Sequence, residues 1–365
     1  MKKVLLLANS SKGVYGFRNE LVVKMLEQYE VFVSVPDTVC TEELAQEGCK
    51  IIKTDINRRG MNPIEDFKLL LSYWRLLSAI RPDLVLTYTI KPNIYGGIVC
   101  RLRRIPYITT ITGLGSAMEG DGLLQKLTGT LYRIAMKKAA CIFFQNETNQ
   151  RIFEERNIKG QAVQRVSGSG VDLEHFTYMA LPDEEKIRFL FVSRILKEKG
   201  IEEYLDAAGQ IKKEYPDTEF WILGKCEEEY EPVLQKLQQD GVVQYFGMQK
   251  DVRQYLKDVH CLIHPSFYPE GMSNVCLEAA ACGRAVITTD HTGCRETVSH
   301  GKTGYIVEKR NVSQLVNAVK DFIRLSYEDK TKMGQNGRAK VENEFDRKMV
   351  TNSYMNTIQS ILIDR

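Results

Sequence analysis

Short runs of apolar, β-branched and aromatic residues recur along the first half of the chain: KVLLLAN (3–9), EVFVSVP (30–36), CKIIKTDI (49–56), DLVLTYT (83–89), YITTITG (107–113) and ACIFFQN (140–146). Each run is apolar almost throughout, as a strand buried on both faces must be. Between them lie amphipathic segments with helical spacing, such as EDFKLLLSYWRLLSAI (65–80) and GLLQKLTGTLYRIAMKKAA (122–140). Strand alternating with helix predicts an α/β fold with a doubly wound parallel sheet.

The rhythm breaks at SGSGVDLEHFTYMALPDEEK (167–186), where glycines, serines and a proline precede acidic residues and mark a connection. It then restarts with RFLFVSR (188–194), EFWILGK (219–225), VVQYFG (242–247), CLIHPS (261–266), AVITTD (285–290) and GYIVE (304–308), and closes with helices over 312–325 and 346–363. Two Rossmann-like domains, 1–170 and 171–345, with a last helix over 346–365 returning to the first, are expected to face a central cleft. Ligands of open α/β sheets bind at the carboxyl ends of the strands.

At 365 residues the chain exceeds what one core usually serves, which agrees with two domains. The nine cysteines form no Cys-x-x-Cys pair, a pattern that suits reduced thiols in a cytoplasm. MKKVLLLAN reads as a first strand, since its apolar run is too short for a signal peptide and lacks a cleavage pattern. No uninterrupted apolar stretch reaches the roughly 18 residues of a membrane span. The net charge of +3 hides an asymmetry: residues 1–170 carry 24 Lys+Arg against 16 Asp+Glu, and residues 171–365 carry 26 against 31. A basic first half suggests an anionic partner.

The densest candidate chemistry lies in HPSFYPEGMSNVCLEAAACG (264–283), which sets Glu270 and Glu278 on either side of a turn into a short helix. Ser273 or Asn274 suits the N-cap and Gly283 the residue after the helix. Backbone N–H groups from Gly271 to Val275 would then point between the two carboxylates, where a helix start favours phosphate. Glu278, an acceptor-only group one turn in, is suited to a pair of vicinal hydroxyls such as those of a ribose. A blander reading has Glu278 balancing the helix dipole and Glu270 on a surface turn. A second cluster, FVSRILKEKG (191–200), places Arg194 at a strand end and Lys199 before a glycine at a helix start. Two such cations neutralise a diphosphate without a metal, each charge-assisted contact contributing roughly 1.5 to 3 kcal/mol. Neither half contains Gly-x-Gly-x-x-Gly, and no Gly-Lys-Ser/Thr sequence ends a glycine loop, which argues against dinucleotide and P-loop readings.

Arg194 with Lys199, Glu270 and Glu278 framing GMSNVCL, and ACGRAVITTDHTGCRETVSHGKTGYIV in that order resemble the donor half of retaining GT-B glycosyltransferases, family 4. LTYTIKPNIYGGIVCRLRRIPYITTITGLGS (86–116) and FFQNETN (143–149) are similar to members that act on polyprenyl-diphosphate-linked saccharides. The resemblance implies that Arg194 and Lys199 hold the nucleotide diphosphate as it leaves, that Glu270 touches the donor sugar and that Glu278 binds the ribose. It also implies that backbone amides of Gly271, Met272, Ser273 and Asn274 meet sugar and phosphate. A glycine loop at Gly13 and Gly16 would lie under the acceptor or the diphosphate, where a side chain would obstruct. Lys12, Arg18, Thr112, Gly113 and Gly115 are acceptor-side candidates.

Many family members carry a histidine near the donor sugar in the first domain. Here all five, at 175, 260, 264, 291 and 300, lie in the second half, and the matching region reads ITGLGS. His264 and His291 read as structural or rim residues. No two aspartates stand two positions apart, so no Asp-x-Asp metal signature exists and no metal or resident cofactor is expected beyond the UDP-sugar co-substrate. The expected activity is retaining transfer of a hexose or N-acetylhexosamine from UDP to a lipid-linked saccharide in surface polysaccharide or glycan synthesis, leaning toward N-acetylgalactosamine in an alpha-1,3 linkage. Arg58, Arg59, Arg101, Arg103, Arg104, Lys126, Arg133, Lys137 and Lys138, with the leucines of GLLQKLTGTLYRIAMKK, suggest a cytoplasmic enzyme in peripheral contact with the anionic inner face of the plasma membrane. Two alternatives remain. One is a nucleotide-sugar 2-epimerase on the same fold. The other is a non-catalytic nucleic-acid-binding protein, against which the dispersed cations and absent recognition module speak, so nucleic acid is not an expected partner.

Overall fold

The computed structural model describes residues 1–57, 62–114, 118, 122–183 and 185–363. The chain divides into two compact units, Met1–Gly170 with Arg347–Arg365, and Val171–Asp346. The first unit contains β1 (Lys3–Leu7), α1 (Ser11–Leu26), β2 (Glu30–Val35), α2 (Thr41–Gln46), β3 (Lys50–Lys53), α3 (Pro63–Ile80), β4 (Leu84–Tyr88), α4 (Gly97–Arg103), β5 (Tyr107–Ile111), α5 (Leu123–Met136), β6 (Cys141–Phe144), α6 (Glu147–Glu155) and β7 (Val163–Arg165). The second contains β8 (Arg188–Val192), α7 (Ile201–Glu214), β9 (Glu219–Leu223), α8 (Glu231–Gln239), β10 (Gln244–Tyr245), α9 (Arg253–Leu256), β11 (Cys261–His264), α10 (Asn274–Ala281), β12 (Ala285–Thr289), β13 (Gly304–Val307), α11 (Val312–Arg324) and α12 (Tyr327–Glu344). The last helix, α13 (Arg347–Ile363), belongs to the first unit.

Both sheets are parallel and doubly wound, as the alternation predicts. Their orders are β3-β2-β1-β4-β5-β6-β7 and β10-β9-β8-β11-β12-β13. In each, the order reverses between the first strand and the fourth. The register there runs Val4↔Leu84 in the first unit and Cys261↔Phe189 in the second. At such a switch point the loops leave in opposite directions and open a crevice at the carboxyl ends.

Alternate residues of β1 supply two cores. Val4 and Leu6 pack with Val14, Leu21 and Met25 of α1 and Tyr354 of α13, while Leu5 and Leu7 pack with Leu69 and Tyr73 of α3 and Tyr132 of α5. In the second unit Phe189 and Phe191 face α7 and α11, and Leu190 faces α10. Local chemistry sets the helix starts. Ser10 caps α1 by accepting from the Gly13 N–H at 3.3 Å, and Asn62 caps α3, whose first residue is Pro63. Helix α10 ends at Gly283, which takes a left-handed φ of +78°. A Cβ added at Gly334 of α12 would sit 2.0 Å from the Gly283 carbonyl oxygen, so these two backbones touch with no side chain between them.

The structure departs from the expected elements in three places. The strand expected over 242–247 is the two-residue β10, and β7 and α12 were not marked by the pattern. Gly13 and Gly16 are not in a loop at all. They lie inside α1, because only three residues separate the end of β1 from its Ser10-capped start.

Candidate active site

The second unit's switch point brings two loops together. After β8 the chain makes a single turn at Lys197–Lys199 and enters α7 through Gly200, whose φ is +78°. A Cβ at Gly200 would lie 2.2 Å from the Pro265 carbonyl oxygen, so the turn sits directly on the backbone that follows β11. The Phe267 N–H donates to the Glu198 carbonyl at 2.9 Å and fastens the two loops. Lys199 and Glu270, far apart in sequence, are thereby ion-paired.

Lys199 is buried, and Glu270 is 15 % exposed at its side chain. Burial alone would raise the Glu270 carboxyl. The ammonium of Lys199 outweighs it and holds the group down at about 2. His264 ends β11 and is fully buried, not on a rim, with Nε2 3.7 Å from Glu270 Oε1. Burial pushes this imidazole below its usual value, so it is neutral at pH 7. Neither of its ring nitrogens has a hydrogen-bond partner among the described residues, and the same holds for Ser273 Oγ, Asn274 Oδ1 and His291 Nε2. Buried polar atoms left open cost stability, and a cluster of them at strand ends is the signature of a site completed by a polar ligand.

Arg194 follows β8 and is already engaged. Its Nη1 donates to Glu227 Oε2 at 3.0 Å, and its guanidinium lies 5.3 Å from the centre of the Tyr268 ring. Lys199 Nζ lies 4.7 Å from the same ring. Tyr268 thus stands between both cations. Sequence reasoning missed it, as it missed Glu227, because only the folded loops place a ring or a carboxylate beside residues so distant in the chain.

Helix α10 starts at Asn274 with Ser273 as N-cap, but the Ser273 side chain makes no capping bond. The expectation that the amides of Gly271, Met272, Ser273 and Asn274 all reach a ligand needs correcting at one position. The Ser273 N–H donates to the Gly293 carbonyl at 2.7 Å. Gly293 makes that possible by adopting φ +86° against Glu270, where a Cβ would meet the Glu270 carbonyl oxygen at 3.1 Å. Asn274 and Val275, the first residues of the helix, have no intrahelical acceptor for their N–H groups. The Met272 side chain is core, packed with Cys276 and Leu277. Glu278 is half-buried, one turn on from Asn274 and on the same face.

The remaining candidates belong to the first unit. Lys12 and Gly16 are exposed. A Cβ at Gly13 would meet nothing closer than 3.5 Å and one at Gly16 nothing within 4 Å, so inside this unit neither position demands a glycine for space. Arg18 is buried between Tyr88 and Tyr354. Thr112 and Gly113 follow β5 and are half-buried. Gly115 lies outside the described residues, as do Arg58 and Arg59.

Two family models match: Glycosyl transferases group 1 over residues 179–340 and Glycosyl transferase 4-like over residues 3–146. Among curated relatives, the Campylobacter jejuni N,N'-diacetylbacillosaminyl-diphospho-undecaprenol alpha-1,3-N-acetylgalactosaminyltransferase is 26% identical over 85% of this chain and 86% of its own. An Escherichia coli UDP-Gal:alpha-D-GlcNAc-diphosphoundecaprenol alpha-1,3-galactosyltransferase is 27% identical over 79% of this chain and 78% of its own. Among solved structures, the Anabaena protein HepE in complex with UDP and glucose superposes with a TM-score of 0.80 at 18% identity, over 99% of this chain and 100% of that one. Sucrose-phosphate synthase from Thermosynechococcus elongatus gives 0.80 at 17% identity, over the whole of both chains. At such identities the structural likeness speaks for the fold, while the two models between them account for most of both units. The chain therefore belongs to the group 1, or family 4, glycosyltransferases, retaining enzymes of the GT-B fold.

Proposed function

We propose that this glycosyltransferase moves a hexosyl or N-acetylhexosaminyl group from a UDP-sugar to a saccharide carried on a polyprenyl diphosphate, in surface polysaccharide or glycan synthesis. N-acetylgalactosamine in an alpha-1,3 linkage is the specific form favoured by the Campylobacter relative's stated activity. The observation that carries the reading is the buried Lys199–Glu270 pair amid unpartnered polar atoms at the ends of β8 and β11. The second unit is the donor domain and the first the acceptor domain.

In this reading Arg194 and Lys199 take up the diphosphate and stabilise the charge that develops as the sugar–phosphate bond breaks. Preorganised donors of this kind lower turnover by about 10²- to 10³-fold when one is removed. Glu270 relinquishes part of its hold on Lys199 and accepts from sugar hydroxyls, with neutral His264 beside it. Glu278 accepts from the ribose hydroxyls, and the Asn274 and Val275 amides meet phosphate or sugar. Retention follows from departure and attack on one face of the sugar, with the leaving diphosphate itself receiving the acceptor's proton, so no first-domain histidine is required. The cations occupy the role that a metal plays elsewhere, and activity should persist in EDTA; a rate that collapses and returns with Mn²⁺ contradicts this.

No helix among the described residues is long and apolar enough to cross a membrane. Peripheral contact with an anionic bilayer on the cytoplasmic side rests on α5, where Leu123, Leu124 and Leu127 are exposed beside Lys126. Salt-sensitive sedimentation with acidic liposomes is expected, and no pelleting at low salt removes the idea. The decisive assay is a panel of UDP-sugars against short synthetic polyprenyl-diphosphate saccharides, with NMR of the product. A retained anomer on the saccharide supports the reading. Conversion of the UDP-sugar without acceptor supports the 2-epimerase instead.

A further inference from the structure

Two arginines among the described residues are deeply buried, and they are satisfied very differently. Arg284 is fully buried, and its guanidinium donates to the carbonyls of Leu256 at 2.6 Å, Met179 at 3.1 Å, Ala180 at 3.0 Å and Lys257 at 3.5 Å. Arg18 is 6% exposed, yet Nη1 donates only to its neighbour's carbonyl, Phe17, at 3.1 Å. Its other contacts are Tyr88, whose ring centre lies at 5.2 Å and whose hydroxyl it neighbours, and the ring face of Tyr354 at 5.9 Å. Among the described residues no carboxylate pairs with it. A guanidinium cannot shed its proton, and it carries five N–H donors in a planar fork. Aromatic faces hold such a cation in place without neutralising it.

Its surroundings are equally unfinished. Tyr88 is the last residue of β4, at the first unit's switch point, and its buried hydroxyl finds no partner beyond the neighbouring guanidinium. The next residue, Thr89, has φ 70°, a strained conformation for a β-branched side chain. Tyr354 is fixed from behind, its hydroxyl 2.8 Å from Thr110 Oγ1 and its ring stacked on Phe143 at 4.1 Å. The fork is therefore rigidly mounted, short of an anion, and next to a strand end.

We propose that Arg18, with the Tyr88 hydroxyl, is a phosphoryl-binding site for the acceptor: it grips the diphosphate that joins the saccharide to its carrier. This rests on the reading of the acceptor as a lipid-linked diphosphate. Bidentate guanidinium–phosphate pairing is the match for a planar fork, and the Tyr88 O–H adds a third donor. The site positions the acceptor and takes no part in bond making.

The test compares kcat/KM for one saccharide presented in two forms, on a short polyprenyl diphosphate and as a neutral alkyl glycoside, with UDP affinity measured separately by titration. The full chain is used as wild type, Arg18→Leu, Arg18→Lys and Tyr88→Phe. The wild type is expected to prefer the diphosphate acceptor, and Arg18→Leu to lose that preference by about 10- to 100-fold, mostly through KM. Arg18→Lys should lose less, and Tyr88→Phe about 3- to 10-fold. The preference is a ratio within one variant, so a partial folding defect cancels. A wild type that uses the neutral glycoside equally well overturns the lipid-diphosphate reading and this site with it. A wild type that prefers the diphosphate, with an Arg18→Leu variant that keeps the preference, overturns the site alone. Weakened UDP affinity with the preference intact assigns the fork to the donor's diphosphate and likewise overturns it.

Discussion

The two switch points share a strand order and almost nothing else. In the second unit the two cations after β8 already have carboxylates, Lys199 with Glu270 and Arg194 with Glu227, and both lean on one tyrosine ring. In the first unit Arg18 has two tyrosine rings and no carboxylate among the described residues. Paired charges cost less to bury than unpaired ones and are held in a fixed geometry, but their partners must be displaced by an arriving diphosphate. An unpaired one keeps its full field for the ligand but needs a stiff aromatic mount. Identical topology therefore does not dictate how an anion is met. The loops decide that.

The largest effect should come from breaking the second unit's pair. Lys199→Ala should lower kcat/KM by about 10²- to 10³-fold and also destabilise the fold by about 3 to 5 kcal/mol, since it strands a buried carboxylate. Urea unfolding and steady-state rates check both. Adding Glu270→Gln should restore stability and not turnover; recovery of both would make the pair purely structural. Next, Glu278→Ala should weaken UDP binding about 10- to 100-fold, whereas Arg194→Ala should mainly slow turnover, and wild-type values in both would remove the site assignment. Tyr268→Leu should cost about 3- to 10-fold in kcat/KM while Tyr268→Phe stays within about twofold, because the ring face is what holds the cations. A matching loss in the phenylalanine variant would point to the hydroxyl instead.

The smallest effect is one of pH. The Glu270 carboxyl sits at about 2 when folded, against 4.5 ordinarily. A lowered value means a stabilising contribution that is whole above about pH 4.5 and disappears as pH falls toward 2. The difference in urea midpoint between wild type and Glu270→Gln should accordingly be flat above pH 5 and close across that window. A difference that persists at about pH 2 would mean that the ionised carboxylate is not its source.

Strands buried on both faces were the most readable part of the sequence, since a wholly apolar run admits few other interpretations. β7 escaped because its three residues at the sheet edge are half-buried or exposed and carry no apolar run. Helix α12 escaped for a different reason. Its buried face includes Lys330, Gly334 and Gly337, which no hydrophobic pattern marks. Gly13 and Gly16 misled because two glycines after a strand look like a loop, whereas Ser10 caps a helix that starts before them. At the site, residue types and spacing brought Arg194, Lys199, Glu270 and Glu278 into view. Which cation meets which carboxylate, and the ring of Tyr268 between them, depends on how the loops after β8, β9 and β11 close over one another.

The bare contact between Gly334 and Gly283 gives α12 a role that its distance along the chain conceals. One missing methyl group, at residue 334, acts as a gauge block: it lets α12 lie directly against the turn that ends α10, the helix that carries Glu278. A single carbon added at residue 334 would lift that helix like a shim under a hinge plate. The placement of Glu278 is thus answerable to a residue on another helix, far along the chain from the carboxylate itself.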